Sequence, residues 1–539
     1  MTCREARQRY AVCVRLRAYD LMSATPSLFD FVFARLQEDS HGADESWFPG
    51  LLHEVAKRGN LETLKRAHVL NSSWVSNLAC VLAAREGHLA CLAYAHENGC
   101  PWKPVIDIVL HEDVLESAAA GGHLACLAYA HRHGCKGDIG YAAVAAAHHG
   151  HLECLRYAKE HRFAWNEELI HHEATMGGHV ACLKFAYENG GIFHFSSDLC
   201  GIAARNGHLD CLRYLHDHRD PEDLPDSWAS TMAARHGHLD CLAFAHEHDF
   251  GWDEETCCAA ALHGHLQCLI YAHENGCAWG PSTLERSAAE GRLECLRYAH
   301  EHGCRPSPHV CFYAATRRSL ACLRYAHEAG YPWDVEVCRN AAEGGWLEGL
   351  TYAHEAGCPW NADVCRDAAS NLECLKYAHE NGCPWNEDTP HLAAILGKLD
   401  CLRYAHEHNC PWDDVLCEFA SYFGKLDCLI YAHEHGCPWT KKTCEAAATM
   451  NNLECLRYAH EHGCPWTKKT CEAAATMNNL ECLRYAHEHG CAWAEETCEA
   501  AAKMSNWECL RYAIDHGCPR KERTFESTWG VDVEQLSEA

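Results

Sequence analysis

Residues 455–481 read CLRYAHEHGCPWTKKTCEAAATMNNLE, and the block before them, 428–454, is the same string except that Ile430 stands where Arg457 stands. Two 27-residue copies that differ at one position are a tandem duplication. Self-similarity at a fixed period of 20 to 50 residues specifies a solenoid or array, and this has to be settled before any local motif is read. With the Cys of the LECLRYA segment as register mark, equivalent positions fall at Thr63, Cys91, Cys126, Cys154, Cys182, Cys211, Cys241, Cys268, Cys295, Cys322, Gly349, Cys374, Cys401, Cys428, Cys455, Cys482 and Cys509, seventeen in all. The spacing is 27 through most of the C-terminal two-thirds, 28 to 30 between Cys126 and Cys241, and 35 between Cys91 and Cys126. The extra residues fall near 104–113 and 219–226, where loops between units are expected.

Within one unit, Thr470 followed by Cys471-Glu472-Ala473-Ala474-Ala475 reads as an N-cap, a carboxylate in the first turn and strong helix formers. Asn478-Asn479, or Gly-His as at Gly207-His208, ends that helix and opens the next. The second helix, 480–489, places Leu480, Leu483 and Ala486 on one stripe with Cys482 beside it and turns Glu481, Arg484 and Glu488 outward. Gly490 supplies the left-handed residue that closes it. Two helices of about ten residues leave room only for a Cys-Pro-Trp connector, so the expected fold is all-α, a helical solenoid of about seventeen helix-turn-helix repeats.

A stack of repeats adds core with each unit, so 539 residues are expected to form one long repeat domain, 47–518, between an N-terminal helical cap, 1–46, and an acidic C-terminal tail, 519–539. The formal charge of −29 opposes polyanions, and no run of Lys or Arg offers a face for phosphates, so neither nucleic acid nor an anionic membrane is an expected partner. The N-terminus has no uninterrupted apolar core of a signal peptide, and no 18-residue apolar stretch occurs, which predicts a soluble, intracellular, cytoplasmic monomer. In such a chain the 39 cysteines are expected to be reduced.

The segment Ala203-Ala204-Arg205-Asn206-Gly207-His208-Leu209-Asp210-Cys211-Leu212 resembles the centre of an ankyrin repeat, and the run Leu480 to Gly490 aligns with the second ankyrin helix without a gap. The Thr-Pro that opens an ankyrin first helix stands intact at Thr389-Pro390. The resemblance covers about 47–518. An ankyrin unit has about 33 residues, and the deficit here falls where ankyrins carry a β-hairpin finger, so the finger is expected to be trimmed or absent. The Cys/His/Trp-rich composition is similar to repeat families of large DNA viruses of amoebae, which implies a viral protein in the host cytoplasm. The family implies a protein–protein interaction scaffold with the first helices and trimmed loops facing inward. Pro26 to Phe33 distantly resembles the opening of an F-box, which implies a substrate adaptor of a ubiquitin ligase as an alternative.

His460, His462, Cys464 and Cys471 lie within twelve residues and offer the ligand types of zinc, so a metal-binding or thiol-reactive protein is a further alternative. Against it, no Cys-x-x-Cys occurs within the unit, and the equivalent positions become Tyr331, Pro390 and Gly349 elsewhere in the array. Packing is therefore the expected role of the cysteines, with no metal and no cofactor. The Trp of Cys-Pro-Trp is expected in the core between units. Histidines in the inter-helix turn are expected to bond backbone groups of neighbouring units. Those ending the second helix, such as His406 and His408, stand where the helix dipole favours the imidazolium. Protonation of all 43 histidines would outweigh the formal charge, so the surface field is expected to depend on pH. No nucleotide-binding, serine-nucleophile or zinc-protease motif is present, so no enzyme activity is expected. The residues after Trp vary most between units, and the candidate partner-binding rim is Asp413, Asp414, Lys441, Lys442, Lys468, Lys469, Glu495 and Glu496.

Overall fold

The computed structural model describes residues 48–70, 78–102, 113–136, 139–190, 197–218, 227–280 and 282–519. The expected N-terminal cap, the F-box-like stretch and all but the first residue of the expected tail lie outside the described residues. Among the described residues there are thirty-four helices and no strand. The fold is an all-α helical-repeat solenoid, and each of the seventeen register positions falls in the second helix of a helix pair. The chain divides after Gly280 into two compact units, the first with eight described pairs and the second with nine.

One pair shows why the sequence folds this way. The first helix, Lys468–Thr476, buries Thr470, Cys471, Ala474 and Ala475, and the second, Leu480–Glu488, buries Cys482, Leu483 and Ala486. Burying a leucine contributes about 1.5–3 kcal/mol, and Leu483 and its equivalents are fully buried in pair after pair. The small residues of the first helix let neighbouring first helices approach closely. Within each unit, first helices lie closer to one another than second helices do. The left-handed Gly490 closes the second helix, with its amide on the His487 carbonyl at 3.0 Å and that of Cys491 on Ala486 at 2.9 Å. Four residues then lead to the next first helix at Glu495, so the finger is trimmed to a loop.

Three expectations are corrected. The first helix begins earlier than Thr470. Thr467, in extended backbone, accepts a hydrogen bond from the Lys469 amide at 3.2 Å, and Thr440 does the same for Lys442 at 3.3 Å. That hydroxyl satisfies an amide the helix leaves open, and Thr470 is buried one turn inside. Leu480, at the exposed start of its helix, is half-buried instead of lying in the core. The tryptophans are half-buried as well, because each lies flat against an imidazole at the surface of the seam instead of entering it.

Candidate interaction surface

The seam between second helices fixes the spacing of everything the array displays. In the second unit His460 Nδ1 lies 3.1 Å from the Tyr485 hydroxyl of the next pair, and its ring stacks on Trp466 at 3.9 Å, with Trp466 edge-on to Tyr485. The same arrangement joins His433 to Tyr458, His406 to Tyr431, and His379 to Tyr404, each at 3.0 Å. Burial and then the neighbouring imidazole lower the pKa of His379, His406, His433 and His460. This corrects the dipole argument for His406: desolvation of the charged ring and repulsion from His435 outweigh the helix terminus. In the first unit the seam is varied: Lys159 takes the histidine position and lies over Trp165 at 4.2 Å, and Phe244 replaces the tyrosine, edge-on to His216 at 5.7 Å.

The inter-helix turns form a second joint, as expected. His151 Nε2 lies 2.9 Å from the Ala120 carbonyl of the preceding pair, and His208 Nε2 lies 3.0 Å from that of Met176. In the last pairs Asn479 Nδ2 donates to the carbonyls of Ala448 and Thr449 at 2.9 and 2.7 Å.

The four residues that suggested zinc are already committed elsewhere. His460 meets Tyr485, His462 Nδ1 lies 2.9 Å from the Tyr458 carbonyl, Cys464 donates to Thr440 O at 3.3 Å, and Cys471 shares a hydrogen bond with Cys491. All thirty-seven described cysteines are buried free thiols. Burial pushes the Cys455 thiol up to about 11 and that of Cys482 to about 12, away from the thiolate that reacts with electrophiles or metals.

The eight rim residues do not form one kind of site. Lys441, Lys442, Lys468, Lys469, Glu495 and Glu496 are exposed in the first turn of their helices rather than on loops. Lys442 Nζ lies 3.9 Å from Glu418 of the preceding pair and Lys468 Nζ 3.7 Å from Glu496 of the next. Exposed pairs of this kind contribute about 0–1 kcal/mol, so folding gains little from them. Asp413 and Asp414 are half-buried. Asp413 Oδ1 accepts from the Val415 amide and lies 2.7 Å from His391 Nε2, so Asp413 ties two pairs together. Asp414 caps nothing with its side chain.

Two features of the first helices are not evident from one unit read alone. Asp367, 6 % exposed, receives Arg339 at 2.8 Å and Arg366 at 2.9 Å, a clamp between neighbouring first helices. The other is a run of exposed apolar side chains, Leu396, Phe423, Met450, Met477 and Met504, at one register position in five consecutive pairs. Comparing that position down the repeats, instead of reading along one unit, is the signal that finds it. A cavity of about 460 Å³ lies between Val310–Thr316 and Val335–Glu343, against Phe312, Tyr313, Trp333 and Val337. Among the described residues no helix is long and apolar enough to cross a membrane.

No protein-family model matches the chain, and no curated protein sequence matches it. Among solved structures it is similar to the human ASB11 ankyrin repeat domain, at 19% identity over 37% of this chain and 84% of that one, with a TM-score of 0.23. It is also similar to the pentatricopeptide repeat protein PPR10 from maize, at 14% identity over 97% of this chain and 95% of that one, with a TM-score of 0.25.

Proposed function

We propose that the chain is a non-catalytic protein–protein interaction scaffold of the ankyrin type, which engages its partner through the inner face of the first helices and the inter-repeat loops. The observation that carries this reading is the chemistry of the first-helix face in the last pairs. Lys441, Lys442, Lys468, Lys469, Glu495 and Glu496 are exposed there, and the ion pairs they form are too weak to account for their placement by stability. A repeat array writes specificity at positions that vary while its packing positions stay constant. The acidic balance of the whole chain favours a partner of basic or mixed charge over nucleic acid. The proposal extends to a monomer acting in the cytoplasm, that of a host cell if the protein is viral.

Affinity capture from a cell extract with the full chain, compared with a variant carrying Lys441→Glu, Lys442→Glu, Lys468→Glu and Lys469→Glu, tests the reading. A protein retained by the first and lost by the second supports it. A chain that retains the same proteins with and without the four lysines removes the rim from the proposal.

A further inference from the structure

Five consecutive pairs of the second unit end their first helix in a large apolar side chain held in solvent: Leu396, Phe423, Met450, Met477 and Met504, from 41% to 53% exposed. In the first unit the same register position holds Arg58, Glu86, Gly121, His149, Gly177, Asn206, His236 and His263. The fold therefore does not need an apolar residue there, and the last pairs place three of the chain's seven methionines at it. Five residues nearer the start of the same helices run four carboxylates, Glu418, Glu445, Glu472 and Glu499, with Ala446, Ala473 and Ala500 beside them. Between Lys441–Thr449 and Lys468–Thr476 lies an open cleft of about 300 Å³ lined by Glu445, Thr449, Lys469, Glu472, Ala473, Thr476 and Met477. One turn nearer the helix starts, Lys469 lines the same cleft, Lys442 Nζ lies 3.9 Å from Glu418, and the Thr467 hydroxyl donates to Glu445 at 3.0 Å.

We propose that this face is a docking groove for an amphipathic α-helix of a partner protein, with apolar residues in heptad register and Lys or Arg on the adjoining stripe. This rests on the scaffold reading and names the partner's chemistry. The spacing selects a helix. Packed neighbouring helices lie about 8–10 Å apart, so the apolar column repeats at that interval. An α-helix rises about 1.5 Å per residue and brings an equivalent side chain to the same face every seven residues, about 10.5 Å on. A β-strand presents one face every two residues, about 6.7 Å, and falls out of step by the second contact. Flexible, polarizable thioethers suit this occupant, because they repack around apolar side chains of different shape. The charge balance selects the partner's stripe: the two carboxylates of the cleft, Glu445 and Glu472, outnumber its one lysine, Lys469, so a basic stripe next to the peptide's apolar stripe is favoured over an acidic one.

The test uses the full chain and a fluorescein-labelled synthetic helix of four heptads, with leucine at the a and d positions and lysine at e and g, followed by fluorescence anisotropy. Saturable binding is expected. It should weaken at least tenfold in the variant Met450→Gln, Met477→Gln, Met504→Gln and several-fold in Glu445→Gln, Glu472→Gln, Glu499→Gln. A scrambled peptide of the same composition should bind at least tenfold more weakly. The methionines are half in solvent, so circular dichroism should show both variants folded. In the wild-type chain the peptide should also slow peroxide oxidation of Met450, Met477 and Met504. Absence of binding, equal binding to the methionine variant, or equal binding of the scrambled peptide overturns the proposal. If the groove fails while an extract protein is still captured and lost on reversing the four rim lysines, the scaffold reading stands and only this occupant falls.

Discussion

The turn between the two helices of a pair is closed by histidine in most of the first unit and by asparagine in the last three pairs of the second. In the first unit the ring of His151 reaches the Ala120 carbonyl and lies so close to Gly122 that a Cβ there would sit 2.4 Å from Nδ1. Gly150 is covered in the same way by His179. In the last pairs Asn452, Asn479 and Asn506 each hold two carbonyls with one carboxamide. At the register that lies beneath them, Asn452 covers Gly424, where a Cβ would sit 2.5 Å from Oδ1, and the next two turns place Asn451 and Asn478 there, left-handed at φ of 57° and 60°. The two chemistries make the same backbone joint at different cost. An imidazole has a glycine beneath it in every such turn of the first unit and carries a titratable proton, whereas a carboxamide makes one bond more, has a side chain beneath it in two of the three last turns and ignores pH.

This comparison breaks most sharply at Gly150. Gly150→Ala forces a left-handed alanine and displaces the His179 ring, at an expected cost of about 2–5 kcal/mol, read from urea unfolding. Asn479→Ala is expected to cost about 1–3 kcal/mol, because two carbonyls lose their donor. The double variant Asn451→Gly with Asn479→His should recover most of that loss, since it rebuilds the first unit's joint in the second. A double variant no more stable than Asn479→Ala would show that the two joints are not interchangeable.

Acidification separates the joints by proton linkage. Burial, followed by neighbouring cations, holds His149 and His179 below the ordinary imidazole value of 6.5. Unfolding therefore takes up protons below about pH 6.5, so stability is flat above that value and falls as pH drops beneath it. The seam histidines His406, His433 and His460 contribute the same trend in the second unit. Amide exchange, corrected for the intrinsic rate, should lose more protection between pH 7.5 and 5.5 at the turn near His179, whose own joint titrates, than at the turn near Asn479, whose joint does not. Equal losses would locate the acid sensitivity in the seam alone. The smallest effect is expected for Asn478→Gly, where relief of the left-handed backbone and greater freedom of the unfolded chain offset each other to within about 0.5 kcal/mol.

The period, the two helices per unit and the buried cysteines were legible because each is a packing requirement repeated along the array, and repetition averages out local exceptions such as Thr63 and Gly349. The joint histidines were legible for a related reason: a ring beside a tight turn has backbone carbonyls within reach. What composition could not rank was competition at a single site. Thr467 and Thr470 are equally good caps by residue type, and the choice between them rests on which hydroxyl the seam leaves facing an open amide. Trp466 is apolar enough for the core, yet the flat face of His460 holds it at the surface. Asp413 looked like a rim charge because its partner, His391, stands at a position that is glutamate in the four following pairs. The apolar column was invisible along any one unit, since a single methionine after a helix is unremarkable, and it emerges only across five.

The duplicated block has a consequence for how such a chain can change length. Around the duplicated block each pair carries a histidine for the tyrosine ahead and a tyrosine for the histidine behind, at a constant offset, as His433 with Tyr458 and His460 with Tyr485. A 27-residue segment cut at any point and inserted next to itself therefore arrives with both of its couplings already matched, as in railway wagons with identical buffers. Residues 428–481 show such an insertion with its couplings engaged, marked only by Ile430 against Arg457. Gain or loss of whole wagons leaves the rest of the train standing, and lengthens or shortens the apolar column by one step each time.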